Sequence, residues 1–244
     1  MPRRDGDHIE ALGEGRGAYG LGIGQEGKVW GEGDRKVLEA YGELRRMKDE
    51  GLVKSIGITG NFLLLIFTDR HRTSFLAYPL PTLLRLALLI RETYGPVDVM
   101  MSYCHLTVQN ETLVPFAKEV TERAGVGQLL TASPLCMGLL TPNPPEWTPA
   151  PEKLKLASAE AVDVCSAWPG GLPNIALGFA YRNARQLGIP TVVGVGSLEQ
   201  VHETMRVWRE IESDDGMQRR KEYEARVVRV FDASGYRNYS WPSP

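Results

Sequence analysis

Residues 129–144 read LLTASPLCMGLLTPNP and pass from an apolar strand pattern into a loop. Ser133 and Pro134 end the strand pattern, and Gly138 with the later prolines favours a loop over a second strand. A strand that ends in small polar residues presents backbone N–H groups and a hydroxyl at its carboxyl end. That is where α/β proteins bind their ligands. The stretch therefore indicates a ligand site at the end of this strand.

The segments around it alternate between short buried strands and amphipathic helices. The first helix is predicted to start at Asp34 as its N-cap and to stop at Gly51, and the last to cover about 216–231. Nearly continuous apolar runs are typical of parallel strands covered on both faces. The pattern fits an open sheet or half of a (β/α)8 barrel, since a whole barrel takes about 250 residues and more strands. Strands are predicted near 53–59, 97–102, 128–132 and 190–195.

Composition excludes several classes of partner. The chain is 43% hydrophobic and 24% charged with a formal net charge of −2, which gives no electrostatic case for nucleic acid or an anionic membrane. The apolar runs are shorter than the roughly 20 residues of a membrane span. The N-terminus lacks an apolar signal region, so we expect a cytoplasmic protein. Residues 1–33, rich in glycine and charge, are predicted to form a flexible segment.

Three residue patterns resemble binding or redox sites, but each has a simpler structural explanation. Cys104, Cys136 and Cys165 are odd in number and widely spaced, which predicts reduced core thiols and no disulfide framework. His105 next to Cys104 has no further ligand cluster at metal-binding spacing, so we predict no metal site. Residues 22–27 match G-x-G-x-x-G, but no strand precedes them, so we interpret them as a loop.

Four stretches of the sequence resemble segments of the aldo-keto reductase family and occur in the family's order. LRRMKDEGLVKSIGITG (44–60) resembles the segment leading through strand five, and VMMSYCHLTVQNETL (99–113) resembles strand six and its loop. LLTASPLCMGLL (129–140) resembles strand seven, and VVGVGSLEQVHETMRVW (192–208) resembles strand eight with the following helix. The combination is most similar to the sugar 1-dehydrogenase branch, the D-arabinose and L-galactose dehydrogenases.

The resemblance implies a (β/α)8 TIM barrel of aldo-keto reductase type, truncated here to about strands five to eight with their helices over residues 34–244. It also implies a nicotinamide dinucleotide cofactor, a small sugar as substrate, and hydride transfer from C1 of an aldose to give a lactone. Carried over residue by residue, the family's cofactor site falls on Thr59 and Gly60 for the carboxamide, on Ser133, Leu135 and Gly138 for the pyrophosphate, and on Gly194, Gly196, Ser197, Gln200, Glu203 and Thr204 for the adenosine phosphate.

Two departures from the family pattern bear on the cofactor. Gln200 lies where relatives that prefer NADP carry an arginine. Without a cation there, a 2′-phosphate lacks a charge-assisted partner, so the resemblance favours NAD over NADP. Ala132 lies where many relatives place a tyrosine that stacks on the nicotinamide, and the sugar-dehydrogenase branch is also small at that position.

The catalytic groups are a larger departure. The family uses an Asp, a Tyr, a Lys and a His from its first four strands, and we assign none of them in this chain. His8 is interpreted as a solvated loop residue. The chain is therefore an enzyme by resemblance, with its own activity open. The alternatives are a non-catalytic module that binds a nucleotide or a partner, a half-barrel enzyme with a phosphate site, and a non-functional gene-model fragment.

Residues 61–77, NFLLLIFTDRHRTSFLA, interrupt the match as an anomalous insertion. We interpret them as a translated intron or another gene-model error, and a genuine surface insertion is the alternative. A half-barrel also leaves strands five and eight as unpaired edges, which favours self-association.

Overall fold

The structure is a computed structural model that describes residues 32–59, 80–213 and 216–240. Most of the predicted N-terminal segment, Gly60 and the insertion 61–77 lie outside the described residues. The chain divides into two compact units. Of the described residues, the first unit contains 32–59, 80–103 and 113–130, and the second contains 104–112, 131–213 and 216–239.

Helices and strands alternate along both units. The first unit has helix α1 over Glu32–Asp49, strand β1 over Gly57–Thr59, α2 over Leu80–Tyr94, β2 over Val99–Tyr103 and α3 over Leu113–Lys118, which continues as a π-helical turn over Glu119–Arg123. Strand β3, Gln128–Ala132, crosses from the first unit into the second. The second unit continues with α4 over Glu152–Val164, α5 over Gly171–Leu187, β4 over Thr191–Val192, α6 over Leu198–Ser213 and α7 over Met217–Ser234. No helix in these described ranges is long and apolar enough to cross a membrane.

The strands form a parallel sheet in the order β1-β2-β3-β4. β1 pairs with β2 with Ile58 opposite Met100, and β3 pairs with β4 with Ala132 opposite Val192. The predicted bounds of β3 are confirmed, and β2 lies close to its prediction. β1 and β4 are shorter than predicted, with three and two residues respectively.

Helix α1 does not begin at Asp34, and the prediction of an N-cap there is wrong. The helix begins at Glu32, so Asp34 lies within it and is buried. The Arg85 guanidinium on α2 donates two hydrogen bonds to the Asp34 carboxylate, the longer at 2.9 Å. The predicted stop is confirmed: Gly51 has φ 75°, its N–H donates to Lys48 O, and Leu52 N–H donates to Met47 O. These two bonds form a Schellman motif.

Packing in the second unit joins α5, α6 and α7. The buried side chains of Leu177, Tyr181, Val207 and Ile211 form an apolar cluster between α5 and α6. Arg220 of α7 donates to the backbone oxygen of Asn174 at 3.0 Å and to Glu210 at 2.7 Å. A Cβ atom on Gly178 would overlap the Arg220 guanidinium, so the glycine at this position of α5 makes room for this arginine. 

The Asp34–Arg85 pair in the first unit gives a stability prediction. Both side chains are nearly inaccessible, at 5% and 2% exposure, so Arg85→Met leaves a buried carboxylate without its countercharge. We expect a loss of about 3 kcal/mol in the free energy of unfolding, measured by urea denaturation. The double variant Asp34→Leu/Arg85→Met should regain most of it, and Arg46→Met, which breaks only exposed pairs, should change the midpoint little. Equal midpoints for R85M and R46M would contradict the assignment.

His105, in the loop after β2, gives a prediction of pH dependence. Burial lowers its pKa to about 4, against 6.5 for the unperturbed group. The unfolded chain therefore binds a proton that the folded chain does not, and stability present above pH 6.5 is lost as the pH falls toward 4. Between pH 7 and pH 5 this loss amounts to about 2 kcal/mol.

The measurement is urea denaturation at both pH values. On acidification, the free energy of unfolding of His105→Gln should fall less than that of the wild type, and the difference should equal the loss given above. This holds whatever the stability of the variant at pH 7. His202→Gln, at an exposed position of α6, is the matched control and should keep the wild-type dependence. An unchanged pH dependence in H105Q would contradict a buried neutral imidazole.

Candidate functional site

The carboxyl ends of β3 and β4 lie side by side in the second unit. Thr131 N–H donates to Pro190 O at 3.0 Å, and Ser133 N–H donates to Val192 O at 3.2 Å. The sheet hydrogen bonding therefore continues through Ser133, and Pro134, which has no N–H, comes next. The predicted pyrophosphate residues follow β3 and the predicted adenosine-phosphate residues follow β4. The structure thus brings these two groups to neighbouring strand ends.

The segment after β3, Ser133–Gly138, is a tight turn held by its own backbone and by the Ser133 hydroxyl. Cys136 N–H donates to Ser133 O at 2.9 Å, and Met137 N–H donates to Ser133 Oγ at 2.9 Å. Gly138 has φ 85°, and a Cβ atom there would lie 2.7 Å from Pro145 Cδ. The Leu135 side chain packs against the apolar cluster between α5 and α6. Ser133 and Gly138 are thereby fixed by the turn, and Leu135 by the core.

The segment after β4 runs exposed into the N-terminus of α6. A Cβ atom on Gly194 would meet nothing within 4 Å, so a ligand has room to approach the backbone there. Ser197 caps the helix, because Gln200 N–H donates to Ser197 Oγ at 3.2 Å. The Gln200 side chain reaches back and accepts a hydrogen bond from Gly196 N–H at 2.7 Å. These reciprocal bonds resemble a capping box and hold the segment in place.

Electrostatics at this helix end favour an anion. The first amides of a helix have no partner within the helix, and the aligned peptide dipoles give that end a partial positive charge. Ser197 Oγ accepts from one of these donors, the Gln200 N–H, while Leu198 and Glu199 lie at the exposed first turn. Phosphate groups commonly bind at such helix ends.

Two predicted residues further along α6 are placed differently. Glu203 accepts hydrogen bonds from Arg206 at 2.5 Å and from Asn174 at 3.4 Å. The bonds from Arg206 are the main reason why the pKa of Glu203 is lowered. The carboxylate is therefore already part of an ion-pair network with α5, and a ligand would compete with Arg206 for it. Thr204 is half-buried.

Thr59 belongs to the first unit and ends β1. Its Oγ1 atom is buried and has no hydrogen-bond partner in the part of the chain that the structure describes. A buried hydroxyl without a partner costs free energy unless a ligand satisfies it. The atom therefore fits a carboxamide-binding role. Its predicted companion, Gly60, lies outside the described residues.

Sequence reasoning missed a cluster of side chains beside Ser133. Burial raises the pKa of the Cys104 thiol, the nearby Cys136 thiol raises it further, and Ser133 lowers it. Cys136 Sγ in turn donates to Thr107 Oγ1 at 3.3 Å. All three cysteines are free thiols, as predicted. The available signal was that Cys104 directly follows β2 and Cys136 lies in the turn after β3. No group of three or more His, Cys, Asp or Glu side chains in the described ranges is arranged to hold a metal ion.

Comparison with known proteins identifies the fold. A sequence model of the aldo/keto reductase family matches residues 30–223. L-galactose dehydrogenase of Arabidopsis thaliana is 34% identical over 215 residues, which are 88% of this chain and 59% of that protein. D-arabinose 1-dehydrogenase of Saccharomyces cerevisiae is 28% identical over 169 residues, which are 68% of this chain and 45% of that protein.

The chain therefore spans about half the length of these two relatives. A solved aldo-keto reductase from Bacillus halodurans, in its holo form, superposes with a TM-score of 0.42 at 15% identity. That superposition covers 75% of this chain and 53% of the solved one. Aldo-keto reductases are oxidoreductases that bind nicotinamide cofactors, and the parallel α/β sheet described above is part of their fold. The chain belongs to the aldo/keto reductase family.

Proposed function

We propose that this chain supplies the cofactor-binding half of an NAD-dependent aldose 1-dehydrogenase that oxidises a sugar at C1 to the lactone. The observation that carries the proposal is the Ser133 N–H bond to Val192 O, which sets the start of the Ser133–Gly138 turn beside the strand that leads into the exposed segment 194–197. The reaction and the sugar class come from the two relatives, whose names state L-galactose and D-arabinose as substrates.

The residues have distinct roles in this proposal. The turn at Ser133 and Gly138 and the first amides of α6 hold the pyrophosphate and the adenosine phosphate, and Gly194 leaves the backbone open to them. Thr59 holds the carboxamide through its Oγ1 atom, which has no hydrogen-bond partner among the described residues. The bound nicotinamide accepts the hydride from the sugar. No residue of this chain is assigned to proton transfer, since the family's catalytic groups come from its first four strands.

We propose further that residues 34–244 correspond to strands five to eight of the barrel, and that the protein works in the cytoplasm. β1 and β4 lie at the two ends of the strand order, as strands five and eight would if their outer neighbours were absent. Large apolar side chains are exposed along β4 and α6, which supports self-association or cover by another part of a barrel. They are Val192, Val195, Leu198, Val201, Met205 and Trp208.

The rival proposal is a non-catalytic module that binds a nucleotide or a protein partner. Two assays on the purified chain separate it from the dehydrogenase: titration with NAD, and NADH production from L-galactose or D-arabinose. We expect NAD binding with little turnover by the chain alone. Binding with no turnover even after addition of the first half of a relative's barrel supports the module. Failure to bind NAD or NADP contradicts the dehydrogenase and the nucleotide-binding form of the module. Sedimentation velocity on the same sample detects self-association.

Gln200 gives a prediction of cofactor preference. Gln200→Arg should strengthen NADPH binding about tenfold while leaving NADH binding nearly unchanged, because a guanidinium adds a charge-assisted bond to the 2′-phosphate. The measurement is titration of cofactor fluorescence. His202→Arg places the same charge two residues away on exposed α6 and is the matched control, with a smaller effect. Wild-type chain that binds NADPH more tightly than NADH would contradict the proposed preference for NAD.

A further inference from the structure

We propose that Cys104 and Cys136 form a redox-sensitive dithiol that closes to an intramolecular disulfide beside the Ser133–Gly138 turn. The two side chains interact. Burial is the largest cause of the raised pKa of the Cys104 thiol, the neighbouring Cys136 thiol raises it further, and Ser133 lowers it. Cys136 therefore lies close enough to act on the Cys104 thiol in the reduced protein.

The backbone independently brings the two cysteines together. Cys104 N–H donates to Ala132 O at 3.0 Å, which places Cys104 beside the last residue of β3. Cys136 N–H donates to Ser133 O at 2.9 Å, which closes a four-residue turn directly after that strand. In such a turn the first and fourth Cα atoms lie within about 7 Å of each other. Both cysteines are thus held next to Ser133 by main-chain bonds, within the same unit.

Backbone strain is concentrated at the same place. Cys104, Ser133, Cys136 and Met137 have φ of 62°, 59°, 50° and 56°, in the left-handed region that non-glycine residues rarely adopt. Such strain gathers at ligand sites and switches, where the surrounding structure holds it. A new covalent bond between two of these four residues changes a segment that is already held away from its relaxed conformation.

The exposure of the two residues suggests an order of events. Cys104 is partly exposed and Cys136 is fully buried, so a small reagent meets Cys104 first. Burial is the main reason why the pKa of the Cys104 thiol is raised, so the thiol is mostly protonated at neutral pH. The thiolate is the attacking species, and oxidation should therefore speed up as the pH rises.

The oxidant is a small-molecule disulfide such as glutathione disulfide. The Cys104 thiolate attacks one of its sulfurs, which forms a mixed disulfide and releases one glutathione thiolate that takes up a proton. The Cys136 thiolate then attacks the Cys104 sulfur, which breaks the mixed disulfide and releases the second glutathione. The two cysteines lose two protons and two electrons in all, and the glutathione disulfide gains them.

Closing the bond brings the two sulfur atoms to about 2.05 Å and removes both thiol hydrogens. The Cys136 sulfur can then no longer donate to Thr107. Ser133 is affected as well, because its hydroxyl accepts from Met137 N–H in the same turn and Ser133 interacts with the Cys104 thiol. If the proposed function holds, on which this step rests, the oxidised chain should bind NAD about tenfold more weakly, the equivalent of one lost charge-assisted bond.

The test treats the purified full chain with glutathione disulfide at pH 7 and pH 9, then alkylates it in denaturant and analyses its peptides by mass spectrometry. We expect a linked Cys104–Cys136 peptide pair lighter by two hydrogens, formed faster at pH 9, with Cys165 alkylated. Cys165→Ser is the matched control and should form the same link. Cys136→Ser should stop at a glutathione adduct on Cys104.

Alkylation of both Cys104 and Cys136 after oxidation at pH 9 would overturn the proposal, and so would a link through Cys165 or between two chains. NAD titration of the reduced and oxidised chains then tests the consequence. Equal affinity in both forms overturns the effect on the cofactor. No NAD binding in either form, with the disulfide present, supports the dithiol and overturns the proposed function.

Discussion

The pairing of β3 with β4 is the interaction on which the candidate site depends. Two backbone hydrogen bonds, from Thr131 to Pro190 and from Ser133 to Val192, set the ends of these strands beside each other. The turn after β3 and the capped start of α6 after β4 diverge from this point, and both carry backbone donors. A parallel arrangement requires this, because it brings the carboxyl ends of neighbouring strands to one edge.

Sequence patterns predicted the type and order of the helices and strands well. They were wrong about element boundaries that depend on tertiary contacts. β3 ends at Ala132 as its apolar run predicts, and Pro134, which has no N–H, follows the last sheet bond at Ser133. β1 starts later than its apolar run because Ile56 N–H donates to the Asp98 carboxylate at 2.9 Å, which takes that donor out of the strand ladder. Asp34 looked like an N-cap because aspartate is common there, and its buried partner Arg85 is 51 positions away and invisible to local patterns.

The candidate site was also predicted in part. Short motifs pointed to Ser133, Gly138, Gly194 and Ser197. Motifs of this kind describe the local backbone, and the structure places these four residues after two adjacent strands. The sequence did not reveal the roles of side chains that contact distant parts of the chain. Glu203 pairs with Arg206 and contacts α5 through Asn174, and the Cys104 thiol interacts with Cys136, which follows the next strand along the chain. The spacing between such residues depends on the loops and helices between them.

Amide hydrogen exchange of the purified chain with and without NAD is the most direct test of where the cofactor binds. We expect slower exchange with NAD over the turn at residues 133–138 and over residues 194–204, where ligand contacts replace water at the backbone. Peptides from α4 and α7 should not change. Protection confined to segments other than these two, or no protection at saturating NAD, would contradict a cofactor site at the ends of β3 and β4.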